Sequence, residues 1–330
     1  MIAERRRWQI QTASQGHVLV LKITPLVKKR IAGHAFSLAP TCAFCEDGRS
    51  MKVPFVKMHG CGNDFVVLDG LADTLPDLGT AAVTRALCDR RLGIGCDQLL
   101  VLQKPTRDDA DYQMLIYNAD ASQVEMCGNG IRCLAVFLKN AGYVTTAKSR
   151  IQTLAGIIIP ELMDNGEVRV DMGEPILEGR RVPVAHDGHV INMALPIDQV
   201  EQSLAITCVS MGNPHCIVYV DDLDRLDFSR LGPYLSVHPF FPKATNVEFV
   251  EVKNPRTVAV KVWERGAGAT LACGTGACAV TVASVLNQKT DRSVAVMLPG
   301  GTLHIDWDAQ TNHVFMTGPA VTVYEGVIAL

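Results

Sequence analysis

The chain has 330 residues, 48% of them hydrophobic and 20% charged, with a formal net charge of −3. That balance is ordinary for a globular protein, gives no electrostatic case for nucleic acid or an anionic membrane, and includes no apolar run of the roughly 18 residues that cross a bilayer. Eleven cysteines make an odd set in a large chain without a secretory signal, which points to a reduced cytosolic or organellar compartment rather than a disulfide scaffold.

Residues 1–50 carry basic clusters at 5–7 and 28–30 but only three acids, Glu4, Glu46 and Asp47. Their pattern supports at most one strand, over 18–23. They read as an appendage: an Arg-rich targeting segment, or an extension from an upstream start with Met51 opening the folded part. Cys42 and Cys45 form a lone C-x-x-C without the second pair that a zinc site needs. Residues 53–58 and 65–68 predict two strands around the polar loop 59–64, where Asn63 and Asp64 serve either turn geometry or a ligand. A helix is expected over 80–92, then strands over 98–102 and 112–117. Residues 131–141 and 277–286 are apolar on nearly every side, the second stretch without any charge. A helix of that kind must be buried all round, so each half is expected to be a sheet wrapped about a central helix.

The turns that lead into those two helices match. EMCGNGIRC (125–133) is answered by LACGTGAC (271–278), which sets Cys127 and Cys273 146 residues apart. IQTLAG (151–156) resembles VMLPGG (296–301), and VDMGEP (170–175) resembles FMTGP (315–319), both at an offset of 145. Landmarks repeating at offsets of 145 and 146 predict a duplicated α+β chain, with a first copy over 51–174 and a second over 175–318.

A cysteine at a helix N-terminus lies among unpaired N–H groups at the positive end of the macrodipole, which favours the thiolate. Two such thiols facing one another across a crevice can remove a proton from one face of a carbon and return it to the other. The N–H groups of Gly128, Asn129, Gly274 and Thr275 would form a cradle for a carboxylate. No lysine stands in a cofactor-anchoring context, and the CGNG and CGTG turns lack dinucleotide-binding spacing, so neither pyridoxal phosphate nor any other cofactor is called for. His215 in SMGNPH, and Glu264 with Arg265 in the Gly-rich 263–268 turn, would ordinarily be structural or solvated groups. Their crowding near the second cysteine raises them to candidates.

Taken together, KMHGCGNDF (57–65), GIGCDQLL (93–100), YNADASQVEMCGNGIRC (117–133), SMGNPHC (210–216), TNVEF (245–249), VWERGAGATLACGTGACA (262–279), LPGG (298–301) and MTGPA (316–320) resemble the diaminopimelate epimerase family. The resemblance runs from about Val53 to the end of the chain. It implies two pseudo-repeated domains of mixed, mostly antiparallel sheet rolled around central helices, with a C-terminal strand (319–330) returning to the first. It also implies a cofactor-independent interconversion of LL- and meso-diaminopimelate, in lysine and peptidoglycan-precursor synthesis, through Cys127 and Cys273. By the same resemblance His215 and Glu264 assist proton transfer. Asn63, Asn118, Asn213, Asn246 and Arg265 hold the substrate, Gln98 lines the cleft, and Gly128, Asn129, Gly274 and Thr275 form the carboxylate cradle. Three features depart from the family pattern: Ala269 where Glu is common, Cys61 where Leu is common, and the extension 1–50.

Two other readings stand beside this one: a proline or hydroxyproline racemase-like enzyme, and a non-catalytic thiol redox or metal-binding protein. No metal, nucleic acid or membrane is expected. A homodimer stays open, as does the choice between cytoplasm and, if 1–50 is a transit segment, plastid stroma.

Overall fold

The computed structural model describes residues 51–330 except 74, 77, 79, 80 and 198–202. The expectations for residues 1–50, the Cys42/Cys45 pair included, lie outside the described residues. In chain order the elements of the first half are β1 (Lys52–Gly60), β2 (Asn63–Asp69), α1 (Ala81–Cys88), β3 (Gln98–Gln103), β4 (Tyr112–Asn118), α2 (Gly128–Asn140), β5 (Ile151–Thr153), β6 (Gly156–Ile158), β7 (Glu161–Leu162) and β8 (Val168–Asp171). Those of the second are β9 (Met193–Leu195), β10 (Leu204–Ser210), β11 (Pro214–Tyr219), α3 (Phe228–Ser236), β12 (Asn246–Asn254), β13 (Thr257–Glu264), β14 (Gly268–Thr270), α4 (Gly274–Leu286), β15 (Ser293–Leu298), β16 (Gly301–Trp307), β17 (Val314–Gly318) and β18 (Val321–Ala329).

Two sheets share one plan. The first runs β18-β1-β2-β3-β4-β5-β6, and the second runs β9-β10-β11-β12-β13-β15-β16 before continuing through β17, β8 and β7. Along both seven-strand stretches the pairings go antiparallel, antiparallel, parallel, antiparallel, parallel, antiparallel. Equal order and direction in two halves is the signature of a duplicated unit, as the repeats predict. The halves also trade strands. β7 and β8, which end the first copy, extend the second sheet, and β18, which follows the second copy, edges the first. The repeat-related strands β8 and β17 pair with each other, Val170 opposite Met316 and Asp171 opposite Phe315.

Each sheet curls around its helix. α4 carries no charge and is buried from Gly274 through Ser284, apart from Thr275; α2 buries Ile131, Leu134 and Leu138 completely. One continuous apolar core joins them, running from Met58, Leu100 and Leu134 to Val260, Val280 and Val282. Burial of that order, at about 25 cal/mol per Å² of apolar surface, is the main favourable term of the fold.

Several boundaries differ from those expected. α1 stops at Cys88 because the Asp89 carboxylate takes the N–H groups of Arg91 and Leu92 at 2.7 Å, and the N–H groups of Ile94 and Gly95 turn back to the Leu87 carbonyl. The strands around 59–64 reach further than expected. Only Cys61 and Gly62 form the turn, at φ 53° and 84°, the paired left-handed geometry of a two-residue hairpin. Asn63 is therefore the first residue of a strand. Finally, α2 and α4 begin at the glycine turns themselves, with Cys127 and Cys273 as N-caps.

Candidate active site

The N-terminal turns of the two buried helices meet. A Cβ on Gly274 would lie 3.1 Å from the Met316 Sδ and 3.5 Å from Asn129 Oδ1, and one on Gly128 would lie 2.8 Å from the Met316 Cε. Glycine at both positions lets the two first turns close on the same methionine of β17. Their caps have nearly the same backbone, φ −139°, ψ 114° at Cys127 and φ −126°, ψ 114° at Cys273. The first N–H groups of each helix have no intrahelical acceptor and point out of its end.

The two thiols differ in what they touch. Cys273 Sγ accepts the Gly276 N–H at 3.4 Å and lies 3.5 Å from Thr275 Oγ1. Cys127 makes no cap bond, and its Sγ donates instead to Asn63 Oδ1 at 3.8 Å. Among the described cysteines Cys127 is the one only partly buried. Burial pushes both thiols up. At Cys127 the N–H groups of Gly130 and Asn129 and the Arg132 guanidinium pull back, while at Cys273 the carboxyls of Glu264 and Glu248 push the same way as burial. Desolvation, which disfavours the charged form, thus opposes the pull of each helix N-terminus toward the thiolate.

Glu264, at the end of β13, accepts from Thr270 Oγ1 at 2.6 Å. Burial raises its carboxyl, against the pull of Thr270, His215 and the Cys273 thiol. A carboxyl and a thiol in one dry corner disfavour each other's ionisation, so a proton is readily held between them. His215 is completely buried on β11, with Nδ1 2.7 Å from Glu248 Oε1 and Nε2 3.0 Å from Asn213 Oδ1. Both ring nitrogens are engaged away from the cysteines.

The amides divide into two groups. Asn63, Asn129, Gln98 and Asn118 gather on the first sheet's side. Asn63 Oδ1 accepts from Asn129 Nδ2 at 3.1 Å, and Gln98 Nε2 donates to Asn118 Oδ1 at 2.9 Å. Gln98 Oε1 and Asn129 Oδ1 are buried acceptors without a protein partner; such groups call for a ligand or water. On the second sheet's side Asn246 is spent on the backbone, donating to the Pro214 carbonyl at 3.0 Å and accepting the Arg265 N–H at 2.8 Å. Arg265 is exposed and donates from Nη1 to the Lys243 carbonyl at 3.1 Å.

Three residues here escaped the sequence reading. Glu248 is an acid inside the wholly buried start of β12, and an acid between the apolar Val247 and Phe249 was the available signal. Arg132 is the one charge in its apolar helix before Lys139. It is completely buried and donates to the Gly128 carbonyl at 3.3 Å and the Pro319 carbonyl at 3.3 Å, with no carboxylate partner among the described residues. Asp97 joins Asn63 across 34 positions of sequence, which no local pattern reveals. As for the departures, Cys61 is buried with its Sγ 3.9 Å from the Thr302 carbonyl, and Ala269 lies exposed on β14. Among the described residues no three His, Cys, Asp or Glu side chains are grouped to hold a metal ion.

A family model described as diaminopimelate epimerase matches residues 55–178 and 207–323. The chain belongs to the diaminopimelate epimerase family. A family member from Desulfitobacterium hafniense is 51% identical over 281 residues, covering 83% of this chain and 97% of its own. One from Synechocystis is 49% identical, covering 84% and 99%. Among solved structures, a hydroxyproline epimerase from Agrobacterium vitis with bound trans-4-hydroxy-L-proline aligns at a TM-score of 0.61 and 16% identity, covering 86% of this chain and 92% of its own. A phenazine biosynthesis protein of the PhzF family from Bacillus anthracis aligns at 0.62 and 16%, covering 85% and 100%. At that identity these two share the two-sheet fold of this diaminopimelate epimerase family member and nothing finer.

Proposed function

We propose that this chain is an isomerase that epimerises LL-diaminopimelate to meso-diaminopimelate without a cofactor, in lysine and peptidoglycan-precursor synthesis, by a two-base route. The observation that carries the chemistry is the meeting of two helix N-termini, each capped by a cysteine, at equivalent positions of a duplicated fold. One thiolate takes the α-proton, so the C–H bond breaks and an S–H bond forms. The other thiol gives its proton to the opposite face and becomes the thiolate. Charge that develops on the substrate carboxylate faces the first-turn N–H groups of Gly128, Asn129, Gly274 and Thr275.

Glu264 exchanges protons with Cys273 in this reading, and His215 serves the same chemistry through its hydrogen-bonded pair with Glu248. Asn63, Asn118, Asn213, Asn246 and Arg265 hold the distal amino-acid end, where a guanidinium and several amides read a carboxylate and an ammonium, and Gln98 lines the cleft. Several amides and an arginine have no role for a proline ring, which favours diaminopimelate over a proline racemase-like activity.

The same reading divides the chain into a first domain over 51–174 with the returning strand 319–330, and a second over 175–318. It places the protein in the cytoplasm, or in the plastid stroma where residues 1–50 act as a transit segment. The β18 edge, with Val321, Val323, Tyr324 and Val327 exposed, supports a homodimer; a monomer mass in sedimentation would remove that part. Among the described residues no helix is long and apolar enough to cross a membrane.

Incubation with LL-diaminopimelate in deuterated water tests the whole. The expected result is meso product carrying one solvent-derived α-deuterium. Proline racemised while diaminopimelate is left untouched would overturn the substrate, and meso product without deuterium would overturn the two-base route.

A further inference from the structure

Behind Asn63 stands a charged cluster that the chemistry above does not use. Asp64 pairs with Lys57 and, through both carboxylate oxygens, with Arg90 at 2.7 and 3.0 Å. Arg90 Nη2 also donates to Asp97 Oδ1 at 2.6 Å. Asp64 and Asp97 then exchange main-chain bonds: the Asp97 N–H goes to Asp64 Oδ1 at 3.0 Å and the Asp64 N–H to Asp97 Oδ2 at 3.2 Å. The same Asp97 Oδ2 receives Asn63 Nδ2 at 2.9 Å.

A carboxylate is acceptor-only, so it accepts the NH₂ end of a neighbouring amide and rejects the oxygen end. Asp97 therefore decides which way the Asn63 carboxamide faces. With Nδ2 turned to Asp97, Oδ1 must face the site, where it meets the Cys127 thiol and Asn129 Nδ2. An acceptor beside a thiol pairs with the S–H and repels the thiolate. We propose that Asp97 is a positioning residue that holds the Asn63 oxygen against Cys127 and thereby biases Cys127 toward its protonated, proton-donating form. The inference rests on the reading of Cys127 as one of the catalytic pair.

The other groups that face Cys127 leave room for this control. Arg132 from α2 favours its thiolate, whereas Glu264 from β13 and the neighbouring Cys133 thiol oppose it. Asn63 is the hydrogen-bond acceptor that the thiol touches.

Asp97→Asn isolates the effect, because the Asp97 side chain is 46% exposed and the change keeps its shape. Arg90 retains the oxygen of the new amide. Its NH₂ end then meets both Asn63 Nδ2 and the Asp64 N–H, so the Asn63 amide loses its acceptor there and is released to turn Nδ2 to Cys127, now favouring the thiolate. The readout is the pH dependence of iodoacetamide alkylation at Cys127, resolved by peptide mass. Its midpoint reports ionisation, and its high-pH plateau reports access. The expected result for Asp97→Asn is a midpoint about one unit lower, with roughly tenfold faster alkylation near neutral pH and an unchanged plateau. Asn63→Ala removes the acceptor itself and should also lower the midpoint. In kcat/KM the double variant should be no worse than Asn63→Ala alone, since the two residues act in series. An unshifted midpoint in Asp97→Asn, or in Asn63→Ala if the first variant does not fold, overturns the proposal. Wild-type protein that fails to epimerise diaminopimelate would sink the proposed function while leaving this thiol measurement decisive for Asp97.

Discussion

At the scale of single residues the two cysteines are equivalent by descent and unlike in their contacts. Cys127 donates to an amide oxygen, and Cys273 accepts a backbone N–H beside a carboxyl. In the proposed two-base route each serves one face of the reacting carbon, so neither would substitute for the other. Cys127→Ala and Cys273→Ala should each lower kcat by about 10³-fold or more while keeping the wild-type melting temperature, since loss of a catalytic acid or base alone typically removes 10²–10⁴. Racemisation rates set beside thermal melts check this, and near wild-type turnover in either variant would contradict it. The cysteines, His215, Glu264 and the amides were legible because they stand in short motifs of the chain. Asp97, Glu248 and Arg132 were not, because what matters about them is a partner far away in sequence. Glu248 meets His215 across two parallel strands, and Arg132 ties α2 to the turn at Pro319.

Among the elements, the helix starts show how glycine sets geometry. The Gly-rich turns were read as leading into helices, yet they are the first helical turns, which brings the free N–H groups to the thiols themselves. A second close approach lies at the LPGG turn between β15 and β16. A Cβ on Gly300 would lie 1.9 Å from the Cys61 carbonyl oxygen. Neither group can rotate away, because the Gly300 N–H is bonded to the Leu271 carbonyl at 2.9 Å and Cys61 holds a left-handed hairpin position. Gly300→Ala should therefore cost about 3 kcal/mol or more and lower the melting temperature by several degrees. Gly142→Ala, with nothing near its Cβ but a φ of 76°, is the control for conformational strain alone, at about 1 kcal/mol. Equal melting temperatures for the two variants would show that the close approach has no weight. Short strands such as β5, β6 and β7 were not legible, being two or three residues long and without a period to read. α3 was missed because Pro233 lies inside it and reads as a breaker.

For the molecule as a whole, the duplication was legible from three landmarks at offsets of 145 and 146, and with it the two-sheet plan. The return of β18 to the first sheet was available through the family resemblance alone, and the place of β7 and β8 in the second sheet was not legible, since no residue pattern says to which sheet a strand belongs. Stability should depend on pH through the charged cluster at the β1–β2–α1 corner. Burial works against ionisation of Asp64, but hydrogen bonds from Arg90 and Lys57 hold its carboxyl far below the usual carboxylate range. A depressed folded-state value adds stability that is complete above the unfolded value of about 4 and is lost as pH falls below it. The wild-type melting temperature should thus drop on acidification from about pH 5 to 3. Asp64→Asn should melt lower at neutral pH and show a shallower acid limb, and parallel curves for the two proteins would refute the assignment.

The pairing of β1 with β18 has a consequence for how the protein is made. Met51 and Leu330 exchange two backbone hydrogen bonds, at 3.1 and 2.9 Å, although nearly the whole described chain lies between them. During synthesis the first sheet therefore waits with an open edge at β1 until β18 has left the ribosome, long after β2, β3 and β4 are available to pair. Closing a pair so distant in sequence is slow, and an unpaired strand edge invites association with other chains meanwhile. The same contact leaves residues 51 and 330 side by side once the sheet has closed.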